Sequence, residues 1–445
     1  MEAIHSLCTG LRDAGHECYL VGGAVRDLLM GRAVLDFDFA TDARPEQVQR
    51  RFKKTIPTGI KHGTVSVLIN SHRFEVTTYR GEANYTDGRH PDAVFFSDSL
   101  SEDLRRRDFT INALAYDPES RTVIDEHDGL IDLENRLIRT IGAPRDRFYE
   151  DALRPVRACR FAATLDFDID PETESALADR DVHRRTRLIA VERFTEELWK
   201  GFRARHVESM IRHLEKSGLL YIFFPAHFGL VPETTPGCFA DLLEMADCDP
   251  TLKMARWWDD LGFNEPRSVS GMGQSLRFSR QQVRDIDWFC RYFSFQREMR
   301  AVFESDFNPH PARISAPVSM NLFPVDAAAL DQFLQDNMIK YEIRRFLSGL
   351  KEIYRAESVA FLDKLRTLAI NLVPIDFLIR IVTQDPITIR DLAVNGRDLM
   401  RLGFSGPRIG DMLRRFLDRV LKQPTDNQYE ILMREFDRRQ EILDQ

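Results

Sequence analysis

Cys18-Tyr19-Leu20-Val21-Gly22-Gly23-Ala24-Val25-Arg26-Asp27-Leu28-Leu29-Met30-Gly31 opens on a short apolar run, meets a glycine pair and continues as a helical stretch closed by a further glycine. Strand, glycine pair and helix start form a combination that suits phosphate. Glycine lets backbone N–H groups approach an anion closely, and a helix N-terminus adds about half a positive charge. A Gly-Gly turn is also an ordinary tight connection, so the surrounding sequence has to decide. Upstream, Ile4, Leu7, Cys8 and Leu11 fall at i, i+3, i+4 and i+7, which predicts an amphipathic helix over residues 3–14 ending near Gly15.

Downstream, Leu35-Asp36-Phe37-Asp38-Phe39-Ala40 alternates with period two, placing Phe37 and Phe39 on one face of a strand and both aspartates on the other. Two carboxylates on one face repel unless a cation lies between them, and oxygen ligands on a rigid strand suit Mg²⁺. The plainer alternative is a solvent-facing strand edge. Arg73-Phe74-Glu75-Val76-Thr77-Thr78-Tyr79 alternates too, so Glu75 is a candidate third carboxylate from a neighbouring strand. With a further strand at Thr64–Ile69, the N-terminal third reads as a small mixed sheet covered by helices, an α+β nucleotide-handling unit. Asn84–Asp92 lies in a stretch too long for a hairpin connection and rich in turn formers. Ser99 and Glu102 then predict a capping box ahead of a helix that carries Arg105 through Ala113.

Composition narrows the function classes. The chain has 445 residues, room for two to four domains at about 100–200 residues each. No stretch approaches the roughly 18 apolar residues of a membrane span. Met1-Glu2-Ala3-Ile4-His5 lacks the pattern of a secretory signal, so a cytoplasmic protein is expected. Cys8, Cys18, Cys159, Cys238, Cys248 and Cys290 contain no C-x-x-C pair and read as thiols. The net charge of −8 does not announce a polyanion binder, but arginine is concentrated at 105–107, at 154, 157 and 160, and from 180 to 193.

Several of these stretches occur in a known order. Val21-Gly22-Gly23-Ala24-Val25-Arg26-Asp27, the Asp36/Asp38 pair, Arg106–Ala113, Glu150-Asp151-Ala152-Leu153-Arg154 and Glu192-Arg193-Phe194-Thr195-Glu196-Glu197 have the spacing of the bacterial-type tRNA nucleotidyltransferases. The chain resembles the CCA-adding enzymes of the polymerase-beta-like superfamily. Asp391–Gly396, Gly403 and Gly406–Gly410 look like the tail of the same enzymes. Two departures stand out. Asp128-Gly129-Leu130-Ile131-Asp132-Leu133 carries one glycine where the family commonly shows two, and Pro155 directly follows Arg154, which requires the helix to have just begun near Asp151.

The resemblance implies addition of C, C and A to the tRNA 3′ end from CTP and ATP, by in-line attack with pyrophosphate leaving and two metal ions, taken as Mg²⁺. It implies that Asp36 and Asp38 hold the ions and that Glu75 supports the primer-side one. Gly22, Gly23 and Arg26 would cradle the triphosphate, and Arg107 corresponds to the family's nucleotide-contacting arginine. Asn112 is a partner for the ribose or a metal-bound water, or else a polar helix-surface residue. Asp151 and Arg154, spaced i, i+3, are expected on one helix face. There a carboxylate would accept from an exocyclic amine and a guanidinium would donate to a ring nitrogen, a pairing that C and A satisfy and U and G do not. Arg157 and Arg160 would contact triphosphate or hold these readers in place. Glu192, Arg193 and Glu197 read instead as an internal ion pair bracing the neck.

The implied fold is a nucleotidyltransferase head over 1–140, then a helical neck (141–205), body (206–310) and tRNA-binding tail (311–445). Trp257, Phe289, Tyr292 and Phe293 read as core, residues 305–320 as a turn or hinge, and Arg408, Arg414, Arg415 and Arg419 as an RNA-backbone face or a solvated helix. No obligate protein partner and no membrane are expected. The competing functions are CC-only or A-only addition, poly(A) polymerase, which typically ends in a long basic extension, and a catalytically dead RNA-binding module.

Overall fold

The computed structural model describes residues 2–434 apart from 35, 71, 82–95, 225–241, 244, 264, 308–326, 367, 369 and 370. The loop reading at Asn84–Asp92 and the hinge prolines Pro309, Pro311 and Pro317 lie outside the described residues. The chain divides into two compact units, one of residues 1–246 with 271–279 and the other of 247–270 with 280–445.

In the first unit, α1 (Glu2–Arg12) buries Ile4, Leu7, Cys8 and Leu11 on one face, as the heptad-like spacing requires. β1 (Tyr19–Val21) runs into Gly22, whose backbone at φ 73° and ψ −136° is open to glycine alone, and α2 (Gly23–Leu29) follows at once. β2 (Phe37–Thr41), followed by α3 (Pro45–Arg51), and β3 (Thr55–Gly59), β4 (Thr64–Ile69) and β5 (His72–Thr78) join β6 (Leu114–Asp117) and β7 (Thr122–Asp125) in one sheet. Its order is β3-β4-β5-β2-β1-β6-β7. β2 and β5 are parallel and the other neighbours antiparallel, and the register sets Asp38 beside Glu75. Phe39, Phe74, Val65, Val67 and Val76 close the inner face with α1, so the sheet is held by apolar burial on the face away from the carboxylates.

The helix expected to carry Arg105–Ala113 stops early. α4 (Leu100–Arg105) ends at Arg105, Phe109 is extended, and Thr110–Asn112 is a single 3₁₀ turn leading into β6. The reason is local: the Asp108 carboxylate accepts the Phe109 N–H at 2.9 Å, taking a backbone donor that a helix would need. Ser99 sits at the N-cap, but its side chain makes no capping bond. The single-glycine turn at 128–129, which opens α5 (Gly129–Glu134), works because Asp128 adopts the left-handed conformation (φ 58°) that aspartate tolerates. Asp125 accepts from the N–H groups of His127, Gly129 and Leu130, while a Cβ on Gly129 would lie 2.4 Å from the Thr110 carbonyl.

Beyond the sheet the unit is helical but for the short pair β8 (Leu137–Ile138) and β9 (Asp168–Ile169). α6 (Pro144–Glu150) and α7 (Arg154–Leu165) are separate helices, and α8 (Pro171–Leu177), α9 (Arg180–Thr186), α10 (Val191–Phe202), α11 (Val207–Lys216) and α12 (Leu220–Phe223) come after them. α7 packs on α10 and α11 through buried Val156, Ala158, Cys159, Phe194, Leu198 and Ile211. Among its described residues the second unit contains helices joined by turns, and no strand. Its long helix Arg280–Val302 stacks Phe289 on Phe361 at 4.5 Å and Phe295 on Phe346 at 4.3 Å, and Trp257, Tyr292 and Phe293 are buried as core. Cys8, Cys18, Cys159, Cys248 and Cys290 are free thiols, and among the described residues no helix is long and apolar enough to cross a membrane.

Candidate functional site

A cleft of about 730 Å³ in the first unit is lined by Gly23, Arg26, Asp36, Asp38, Arg107, Asn112, Asp151, Arg154, Arg157 and Arg160 together with Asp27, Asp108 and Arg193. Residues widely separated in sequence thus share one space. Glu75 and Gly22 are not among its lining residues. Gly22 donates its N–H to the Leu114 carbonyl at 2.9 Å, so that amide belongs to the sheet and is not free for an anion.

What Gly22 provides instead is room. A Cβ there would lie 2.6 Å from Nη1 of Arg107, so only glycine lets this guanidinium lie against the turn. Arg107 donates to Asp103 at 3.1 Å and leaves a buried Nε without a partner. The carboxylates opposite are differently placed. Asp36 and Asp38 are exposed and have no hydrogen bond or ion pair to any described residue, whereas Glu75 accepts from Arg73 at 3.1 Å. Desolvation raises the Asp38 carboxyl above its ordinary value, Glu75 and Asp36 push the same way, and Arg107 opposes them.

These observations bear on a metal. Oxygen-only donors of like charge fit a hard divalent cation, whose charge would offset the desolvation and, secondarily, the neighbouring carboxylates that raise Asp38. Among the described residues no group of three or more His, Cys, Asp or Glu side chains is gathered as a metal site, so the carboxylates brought together here are the Asp36 and Asp38 of the cleft, with Glu75 beside Asp38 in the sheet register.

The other wall is a continuous polar network. Arg26 donates to Asn112 at 2.5 Å and to Asp27 at 2.9 Å, and its guanidinium lies 5.4 Å from the Phe161 ring. Asn112 donates to Asp108 at 2.9 Å, and Arg157 donates to the same carboxylate at 2.9 and 2.6 Å. Burial alone would raise the Asp108 carboxyl, but Arg157 and the hydrogen bond from Asn112 bring it down to about 2. Glu197 accepts from Arg160 at 2.5 Å and from Lys200 at 2.8 Å, with Arg157 at 3.9 Å. Asn112 is therefore not a helix-surface residue: it is buried in the 3₁₀ turn, bridging Arg26 to Asp108.

Asp151 and Arg154 do not share a helix face. Asp151 ends α6 in an extended conformation and Arg154 opens α7, with Pro155 in its first turn, where its missing N–H costs nothing. The break arises because Asp151 accepts the Leu153 N–H at 3.0 Å, and because Pro155 lacks the N–H that a continuous helix would need to bond the Asp151 carbonyl. Arg154 donates to the Arg147 carbonyl at 3.0 Å, to Glu150 at 2.8 Å and to the Arg106 carbonyl at 2.8 Å. Of a guanidinium's five N–H groups about two remain for a ligand. Arg193 stands 3.6 Å from Asp151, and its buried Nη1 has no partner. Glu197 braces the neck through Arg160 on α7, not through Arg193, and Glu192 pairs with Arg277 at 3.6 Å.

Sequence reasoning passed over Asp103 and Asp108, and it read Arg193 as part of the neck's ion pair where the structure sets it beside Asp151. Asp103 precedes Arg106 and Arg107 by three and four residues, a spacing that signals an ion pair on a helix. Nothing in the local sequence marks Asp108 as the partner of Arg157.

Known proteins share both the sequence and the fold of this region. Residues 18–139 match the family described as poly A polymerase head domain, and residues 166–229 match a probable RNA and SrmB-binding site of polymerase A. A CCA-adding enzyme of Lactobacillus johnsonii is 53% identical over 190 residues, 43% of this chain and 47% of that protein. One of Levilactobacillus brevis is 49% identical over 209 residues, 47% of this chain and 52% of the relative. The matched segment spans about half the length of these curated relatives. The crystal structure of the Bacillus stearothermophilus CCA-adding enzyme in complex with CTP aligns with a TM-score of 0.67 at 28% identity, covering 99% of this chain and 98% of that one. The Thermotoga maritima CCA-adding enzyme complexed with tRNA_CCA, at 22% identity and a TM-score of 0.58, shares the fold, with 97% of this chain and 94% of that one aligned.

Proposed function

We propose, from the premise that this chain belongs through its head and neck to the tRNA nucleotidyltransferase/poly(A) polymerase family, that it completes tRNA 3′ ends by adding C, C and A from CTP and ATP without a nucleic-acid template. The observation that carries this reading is one cleft holding both the unpartnered carboxylates Asp36 and Asp38 and the pair Asp151 and Arg154. Chemistry and base choice then meet in a single space.

In this mechanism Asp36 and Asp38, with Glu75 alongside, hold divalent ions, for which Mg²⁺ is the proposed identity. Such ions, when bound, acidify the attacking hydroxyl and offset the leaving pyrophosphate charge. The protein's part is to bind and orient. Arg107, with its unpartnered Nε, and Arg26 offer positive charge to the triphosphate, and the first-turn amides of α2 from Gly23 onward have no acceptor within their helix. Asp151 keeps one carboxylate oxygen free of the Leu153 bond and accepts the exocyclic amine of C or A. Arg154 donates with its remaining N–H groups to the ring nitrogen. Uracil or guanine sets a carbonyl against Asp151, at about 1–3 kcal/mol per mismatched contact. Asp108 and Glu197 hold Arg157 and Arg160 as the rigid wall behind these readers. Head 1–140, neck 141–205, body 206–310 and tail 311–445 remain the proposed division of labour. Exposed Arg408, Arg414 and Arg415 of the tail are offered to RNA backbone.

The test is incubation with Mg²⁺ and tRNA transcripts ending before CCA, after C and after CC, with CTP, ATP or both, resolved at single-nucleotide length. Stepwise growth that stops at CCA is expected. Addition of CC only, or of A only, recasts the chain as a partial enzyme; long A-tails favour a poly(A) polymerase, and no growth on any transcript removes the catalytic reading.

A further inference from the structure

Asp103 is buried on α4, 1% exposed, and lies outside the cleft lining. Its two oxygens are divided between consecutive arginines. Oδ1 accepts from Nε and Nη2 of Arg106 at 2.9 and 2.5 Å, and also from the backbone N–H of Arg80 at 3.3 Å. Oδ2 accepts from Nη2 of Arg107 at 3.1 Å. Both arginines reach the same carboxylate because they stand three and four residues further on.

Each arginine has a second commitment. Arg107 lies against Gly22, where a Cβ would meet its Nη1 at 2.6 Å. It is also the positive charge that acts most strongly on Asp38. The Arg106 carbonyl accepts Nη2 of Arg154 at 2.8 Å. One buried carboxylate therefore touches the residue beside the glycine turn and the residue that carries the base-reading arginine. We propose that Asp103 is a positioning residue, which sets Arg107 against the glycine turn and the Arg106 carbonyl under Arg154 so that triphosphate and base are held in one register. The inference rests on the function proposed above and goes beyond it in assigning a residue that touches neither ligand.

Asparagine at this position keeps the shape, but it removes the charge and turns one acceptor into an N–H aimed at a guanidinium. Burial would raise the Asp103 carboxyl, yet Arg107 and Arg106 hold it below the usual range, so the native group is the anion that D103N deletes. Two measurements decide: CTP affinity by equilibrium dialysis with Mg²⁺, and incorporation of each of the four nucleotides on a tRNA transcript, both alongside thermal melts. For D103N the expected result is CTP affinity and nucleotide KM worse by on the order of tenfold, with KM for tRNA within about twofold. The preference for C and A over U and G should fall in parallel. D103E, which keeps the charge one methylene further out, should recover part of both losses and serves as the readout if D103N does not fold. In an R107A background D103N should add less to the CTP affinity loss than it does in the wild type, and the part that remains runs through Arg106 and Arg154. A lower melting temperature with unchanged CTP affinity and unchanged base preference overturns the proposal and leaves Asp103 a fold-supporting ion pair. A wild-type chain that binds CTP but extends no tRNA overturns the function proposed above while leaving the affinity comparison to judge Asp103.

Discussion

Asp36 and Asp38 stand exposed with no partner among the described residues, whereas Arg26, Asn112, Asp108, Arg157, Glu197 and Arg160 lead into one another without a gap. Both groups line the same cleft, except Glu197, which pairs with the lining residue Arg160 without reaching the cleft itself. On the first wall the electrostatic demand is unmet: like charges lie close together and the Asp38 carboxyl is raised. On the second wall each charge is matched by another within the protein, and Asp108 is held at about 2. Satisfied charges give shape, and unsatisfied ones give affinity for what is to arrive.

Substitutions should separate the walls. D38N removes a group that supports nothing in the protein, so the fold should stand while nucleotide addition falls by about three orders of magnitude, as losing several kcal/mol of transition-state stabilisation implies. Matched single-turnover assays and thermal melts check both halves, and a large drop in melting temperature would erase the contrast. D108N should do the reverse, costing about 2–3 kcal/mol of stability by removing the buried anion that the partly exposed Arg157 guanidinium and Asn112 hydrogen-bond.

That second wall also carries a pH signature. Because the native Asp108 carboxyl titrates below the ordinary 3.8, its contribution is complete above about pH 5 and is lost as pH falls through 3.8 towards 2. The stability gap between wild type and D108N, from urea unfolding at pH 7 and pH 3, should therefore shrink by up to about 2 kcal/mol. An unchanged gap would mean that Asp108 is not held down by Arg157. G22A probes the seam between the walls. A side chain at φ 73° that meets Arg107 should cost roughly 1–3 kcal/mol and weaken CTP binding together with it. Arg73→Ala is the smallest change. Its pairing with Glu75 is half-exposed on both sides, so stability should move by less than about 1 kcal/mol. If activity falls nonetheless, Glu75 depends on that arginine for its orientation.

The first wall is the more legible of the two in the sequence. Period-two alternation around Asp36, Asp38 and Glu75 is a property of neighbouring residues, and strands express it directly, as Phe39, Phe74 and Val76 show by their burial. The glycine pair is legible as a turn, but the reason for Gly22 is not, because its neighbour Arg107 lies 85 residues away along the chain. The Asp151/Arg154 spacing misleads for a similar reason. Periodicity assumes one helix, whereas an Asx-type bond to Leu153 and the proline at 155 divide it into two.

The sequence by itself therefore determined the elements whose causes are local: the apolar face of α1, the alternating strands, the glycine turn, the exposed carboxylates and the helical character of the chain beyond the sheet. Only the tertiary structure decided which arginine serves which acid, because a charge is assigned its partner by distance in space and by what burial excludes. Arg157 reaches Asp108, Arg160 reaches Glu197, and Arg106 and Arg107 share Asp103. Water would have satisfied any of these groups in the unfolded chain; packing withdrew it and left one arrangement in which Asp103, Asp108 and Glu197 each hold an arginine.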